Sequence, residues 1–148
     1  MILPDFKDFP EKGRIIGIDW GARRTGVAIS DETRQMVFTR PVVNPGVGRT
    51  IAQHVAELAR TERVVGIVIG LPLRMDGSES ETTAMVRAFA NDLAAQTDVP
   101  ICFLDETLSS ASAQESMGRV RVRDIKQKLD SESARVILEN AIAMLKRQ

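Results

Sequence analysis

One cysteine, one histidine and no net charge set the outer limits on this 148-residue chain. The lone cysteine, Cys102, excludes an intrachain disulfide and fits a reducing cytoplasm, where a small buried apolar role is expected. The lone histidine, His54, sits beside Val55 on an expected helix and reads as a surface or packing residue, which leaves a Ser-His-Asp site poorly supported. Scarce thiolate and imidazole also disfavour zinc. No apolar run approaches the roughly 20 residues that span a bilayer, so no membrane partner is expected. Twenty basic residues cancel twenty acidic ones, and total charge therefore says nothing about partners. There is no internal repeat and no low-complexity linker. Residues 1–12 carry Pro4, Pro10 and alternating charges instead of a basic stretch followed by an apolar one. They are expected to form an irregular leader, not a secretory signal, ahead of a single domain over 13–148.

The chain does contain enough apolar material, 43%, for one real core. Its periodicity changes in a definite order. Short apolar runs predict strands over about 13–20, 24–31 and 35–43, the third ending at the turn signal Asn44-Pro45-Gly46. Ile51, Val55, Leu58 and Ala59 recur at helical spacing. The run from Val64 to Leu71 is apolar throughout, as in a strand covered on both faces. Ser78 and Glu81 have capping-box spacing before a helix carrying Met85, Val86, Phe89 and Leu93. Val99 to Leu104 predicts a fifth strand, followed by a short helix over about 109–117, a basic loop and a last helix starting near Asp130. Three hairpin strands followed by crossover-connected ones predict an α/β, ribonuclease H-like fold: a five-stranded mixed sheet with helices on both faces. Nucleases and the halves of actin-like ATPases share that order, and fold alone does not choose between them.

Three acids carry the chemistry. Asp19 closes the first strand inside Gly17-Ile18-Asp19-Trp20-Gly21, where a carboxylate beside a sheet core needs a cation, hydrogen bonds or a catalytic task. Asp105-Glu106 closes the fifth strand. A period of two points that pair to opposite faces, and a turn or helix-start role is the plainer reading of either. In the last helix Ala134, Ile137, Leu138, Ala141, Ile142 and Leu145 form one apolar stripe, which Asp130 extends. Asp130 also suits an N-cap. Oxygen ligands from distant segments suit Mg²⁺ or Mn²⁺. Cations cluster in two places: Arg23 and Arg24 just past Asp19, and Arg119, Arg121, Arg123, Lys126 and Lys128. A solvated face is the plainer reading of each, and proximity to the acids favours phosphate contact. In the 72–80 loop Asp76 is expected to be a turn residue, and Leu73 with Met75 an exposed apolar lip.

Four segments resemble a known family. Gly17–Ala28, Gly70–Gly77, Asp105–Ser110 and Leu129–Leu138 are similar, in order, to motifs of the YqgF-type (RuvX) pre-16S rRNA nucleases, also described as Holliday junction resolvase-like proteins. The resemblance covers about residues 13–146. It implies a two-metal nuclease with Asp19, Glu106 and Asp130 as catalytic and metal-binding acids and Asp105 as a weaker metal candidate. Asp19 would bridge two ions roughly 4 Å apart. The implied partners are structured RNA, such as pre-16S rRNA, or branched DNA, with a homodimer left open. Three departures stand out. Arg23 replaces a common lysine, Arg74 replaces a frequent asparagine and adds a cation near the crevice, and Thr107 replaces a frequent arginine. Two rivals remain at this stage: an actin-like phosphotransferase, for which the chain is one domain short, and a non-catalytic module binding structured RNA.

Overall fold

The computed structural model describes residues 1–43, 50–106 and 122–146, with side chains in the final helix from residue 132 onward. The strands are β1 (Ile15–Asp19), β2 (Thr25–Ser30), β3 (Val37–Val43), β4 (Gly66–Leu71) and β5 (Ile101–Asp105). The helices are α1 (Ile51–Thr61), α2 (Glu81–Gln96) and α3 (Val122–Lys146). All five strands join one sheet in the order β3-β2-β1-β4-β5. Pairs β1–β2 and β2–β3 are antiparallel, whereas β1–β4 and β4–β5 are parallel. The expected mixed sheet is therefore the observed one. Its parallel half points the carboxyl ends of β1, β4 and β5 toward one edge. Pro41, which has no N–H to donate, lies in the outermost strand β3, where a ladder tolerates it.

Strand alternation divides the core into two layers. Ile16, Ile18, Ile67, Ile69 and Ile101 pack with α1 and α2 on one face. Ile15, Ala28, Val68 and Cys102 pack with Ala134, Ile137, Leu138 and Ala141 of α3 on the other. The sheet is thus covered on both sides, which is why β4 has no polar residue along its length. Helix α3 comes unusually close. A methyl group at Gly17 would lie 2.7 Å from Leu138 Cβ and 2.8 Å from the Ala134 carbonyl oxygen. Only glycine permits that approach of helix backbone to the central strand.

Three expectations are corrected by the structure. Helix α3 begins at Val122 instead of near Asp130, because the stretch from Val122 through Leu129 has no glycine or proline and is rich in Lys, Gln and Leu, good helix formers. Asp130 is therefore an interior helical residue and not an N-cap. The capping box of α2 is formed by Ser80 and Thr83, not by Ser78 and Glu81. Ser78 is occupied instead in a turn with Asp76. The turn expected at 44–46, the helix expected at 109–117, and Thr107, Arg119 and Arg121 lie outside the described residues.

Residues 1–12 are irregular in backbone yet packed. Leu3, Phe6 and Phe9 are buried, and the first residues run beside the outer edge of β5. Leu3 N–H donates to the Ile101 carbonyl at 2.7 Å, and Ile101 N–H donates to the Met1 carbonyl at 2.8 Å. Phe9 fills the space left by Gly66, where a methyl group would meet its ring at 2.5 Å. Phe9→Leu is expected to lower unfolding free energy by about 1–2 kcal/mol, read from urea denaturation.

Candidate functional site

Asp19 and Glu106 reach the same edge and the same face of the sheet. Asp19 ends β1 and pairs with Gly26 across the hairpin. The turn after it is held by Thr25, whose hydroxyl donates to the Gly21 carbonyl at 3.1 Å and accepts from Gly21 N–H at 3.3 Å. Ile15 belongs to the α3 layer, so alternation through Gly17 carries Asp19 to that side. Cys102 belongs to it too, so alternation through Leu104 carries Glu106 there, and carries Asp105 to the opposite face. Asp105 is exposed, while Asp19 and Glu106 are half-buried.

Glu106 turns inward across the sheet. Its backbone N–H donates to the Leu71 carbonyl of β4 at 3.2 Å. Its carboxyl group lies directly over Gly70: a methyl there would be 2.7 Å from both Cδ and Oε2, and 2.5 Å from Ile137 Cδ1. The carboxylate thus occupies the space over β4, the strand between β1 and β5, wedged beside α3. Adjacent strands are about 4.8 Å apart, so this inward reach shortens the gap between the two acids by about one strand spacing. Gly70 belongs to one of the family-like motifs, but nothing local in the sequence shows that it makes room for Glu106, which lies 36 positions further on and meets it only in the folded sheet.

Helix α3 descends antiparallel to β1. Its later residues, Glu139 to Lys146, line a cavity with Arg34 to Val37 at the amino edge of the sheet. Ala134 and Leu138 lie at Gly17, and the preceding turns extend toward the carboxyl edge. Asp130 stands in the helical backbone four residues before Ala134, and its side chain lies outside the described residues, as do those of Arg123, Lys126 and Lys128. Among the described residues no group of three His, Cys, Asp or Glu side chains gathers as a metal site.

The flanking loops carry exposed charge. Arg23 is exposed and Arg24 half-exposed in the turn after Asp19. Arg74 is exposed in the loop that follows β4, its guanidinium 3.4 Å from the Ser78 hydroxyl. Asp76 organises this loop: its carboxylate accepts from Ser78 N–H at 2.9 Å and from the Ser78 hydroxyl at 2.6 Å. Those two bonds, the hydroxyl first, hold its carboxyl below the ordinary value. The folded-state pKa is depressed, so the turn gains stability above the ordinary carboxyl pKa and loses it as pH falls through the lowered one. An NMR pH titration should place the Asp76 midpoint below 3.8 in the native protein and restore it toward that value in Ser78→Ala. The expected apolar lip divides: Met75 is 91% exposed, whereas Leu73 packs against the core. His54 is half-buried on α1, and burial pushes the Cys102 thiol up to about 11, so neither offers a ready metal ligand at this edge.

Such an edge, two carboxylates on the α3 face of a ribonuclease H-like sheet, suits the nuclease class that acts on nucleic-acid ester bonds, and the family match agrees with it. Residues 13–144 match the RuvX family, described as Holliday junction resolvase. The chain belongs to that family. Among its relatives is a "putative pre-16S rRNA nuclease" of Maridesulfovibrio salexigens, 38% identical over 88% of this chain and 98% of the relative. Another with the same name, from Roseiflexus sp., is 31% identical over 88% of this chain and 94% of its own length. The fold resembles Thermus thermophilus RuvC solved with a Holliday junction substrate, with a TM-score of 0.56 at 13% identity over 91% of this chain and 96% of that one.

Proposed function

We propose that this chain is a divalent-metal-dependent endonuclease acting in the cytoplasm on structured nucleic acid, with pre-16S rRNA, the substrate in its relatives' names, as the natural one. The observation that carries this reading is the shared face and edge of Asp19 and Glu106, over which Gly70 leaves room for the Glu106 carboxylate. Helix α3 supports a third acid. From Ala134 back to Asp130 is about 6 Å of helix, and from Gly17 on to Asp19 is about 6.6 Å of strand, so the two backbones climb to the same level. Asp105, on the other face, is left outside the set.

The donor chemistry fits a hard cation: carboxylate oxygens are present, and the chain's one thiol is buried at the α3 layer with its pKa raised. Asp19, Glu106 and Asp130 would hold a divalent ion, which would supply Lewis acidity for attack of water on a phosphodiester. Around it the protein's own residues position substrate. Arg23 and Arg24 lie beside Asp19, and Arg74 flanks the end of β4, where guanidinium groups would take backbone phosphates bidentately. Arg119 and Arg121, which precede α3 in the chain, and Arg123, Lys126 and Lys128 in its first two turns would add cations for further phosphates. Phosphate contacts carry no base information, so selection would rest on the shape of the RNA.

The family's description favours a second reading, resolution of four-way DNA junctions. Incubating the protein with an RNA spanning the 5′ end of pre-16S rRNA, and separately with a four-way DNA junction, decides between them. The proposal expects RNA cleavage that requires Mg²⁺ or Mn²⁺, stops with EDTA, and weakens steeply as salt rises. Cleavage of the junction alone would favour the second reading. Tight binding with no cleavage of either would leave a non-catalytic module and overturn the proposal.

A further inference from the structure

The amino edge of the sheet, remote from the acids, contains an unsatisfied cation. Arg34 lies in the hairpin between β2 and β3 with a φ of 61°, in the left-handed region that arginine rarely occupies. Its backbone is fixed there by a 3.1 Å bond to the Asp31 carbonyl. The guanidinium is driven inward and only 7% of the residue is exposed. Its Nε donates to the Gly13 carbonyl at 2.8 Å, and its Nη2 is buried with no partner. The neighbouring Asp31 carboxylate is not bonded to the guanidinium and accepts instead from Thr33, Gln35 and Met36. A buried charge satisfied by one neutral carbonyl is costly, and arginine cannot escape the cost by losing its proton.

Two cavities, of about 480 and 390 Å³, adjoin Arg34. The smaller is lined by Lys7, Arg34 and Lys146 against one acid, Glu11, with Phe9 and Leu145 among its apolar walls. Three cations against one acid leave two uncompensated positive charges, which matches a phosphate dianion better than a carboxylate.

We propose that this cavity is a phosphate-binding site, separate from the carboxylate edge, in which Arg34 and Lys146 hold a phosphate group, free or at the end of a nucleotide. A rotation of the guanidinium toward the cavity would let the phosphate oxygens give Nη2 the acceptor it lacks, with the apolar walls beside a small organic body. The inference does not rest on nuclease activity, and its test reads binding alone.

Isothermal titration of the intact protein with inorganic phosphate and with adenosine 5′-monophosphate, at low ionic strength, is the direct experiment. Saturable one-to-one binding is expected for at least one probe, unchanged in Asp19→Asn. Tighter binding of the nucleotide would assign the site to a nucleotide end, and equal binding to phosphate itself. Arg34→Met should weaken it by roughly tenfold or more, the loss of a charge-assisted bond. Lys146→Ala, exposed at a helix end and harmless to folding, should weaken it by about three- to fivefold. No saturable binding of either probe, or Lys146→Ala and a folded Arg34→Met both binding like the wild type, would overturn the proposal.

Discussion

Asp19→Asn is expected to lower the rate of metal-dependent RNA cleavage by about a thousandfold, roughly 4 kcal/mol of transition-state stabilisation, while the protein keeps its fold. The size follows from where the residue stands. Asp19 ends the central strand, with β2 on one side and β4 on the other, so among the candidate acids it is the one with a neighbour strand on each flank. Asparagine keeps the shape and one carbonyl oxygen but removes the charge that would hold a divalent ion. Circular dichroism and thermal unfolding without metal should change little, since the side chain is half-buried at a strand end and adds nothing to either core layer. Added Mg²⁺ or Mn²⁺ should raise the melting temperature of the wild type more than that of the variant. A folded Asp19→Asn enzyme cleaving at the wild-type rate would remove the acid from the mechanism.

Gly70→Ala should separate catalysis from stability. The added methyl group would stand 2.7 Å from the Glu106 carboxyl group and 2.5 Å from Ile137 Cδ1. Both obstacles are the far ends of flexible side chains, so the fold can yield at a cost of about 1–2 kcal/mol. Glu106 cannot yield without leaving its place over β4. A displacement of about 1 Å in a catalytic group can cost about a hundredfold in rate, and a loss of that order in kcat is expected here. Gly17→Ala provides the contrast. There the methyl group meets the Ala134 carbonyl at 2.8 Å and Leu138 Cβ at 2.7 Å, parts of the helix that cannot rotate away. That variant should lose stability first, seen as a larger fall in urea midpoint than for Gly70→Ala. Equal stability losses with unchanged kcat in Gly70→Ala would contradict the positioning of Glu106 over β4.

Sheet order and the two acids at strand ends were legible because both follow from local pattern. An all-apolar β4 implies cover on both faces, and hairpin strands followed by crossovers imply the order β3-β2-β1-β4-β5. The division of Asp105 from Glu106 also follows from a period of two, which strands obey strictly. Long-range packing was less legible. The leader's Leu3, Phe6 and Phe9 lie among charges and prolines, so no periodicity announces that they close over β5 and Gly66. The start of α3 is hard to read because five cations between 119 and 128 resemble a solvated loop, although Lys and Arg are good helix formers. The cap expected at Ser78 falls at Ser80 instead, because Asp76 engages Ser78 in the preceding turn. Nothing local in the sequence distinguishes the buried Arg34 from a solvated arginine in a hairpin. Its burial depends on Gly13 and on the end of α3 meeting it from elsewhere in the chain.

Anomalous diffraction from crystals soaked in Mn²⁺ tests the carboxylate edge most directly. Manganese peaks bonded to oxygens of Asp19 and Glu106, with Asp130 completing the shell, are the predicted result. Manganese absent from that edge at saturating concentration, or bound through Asp105 on the other face, would contradict it.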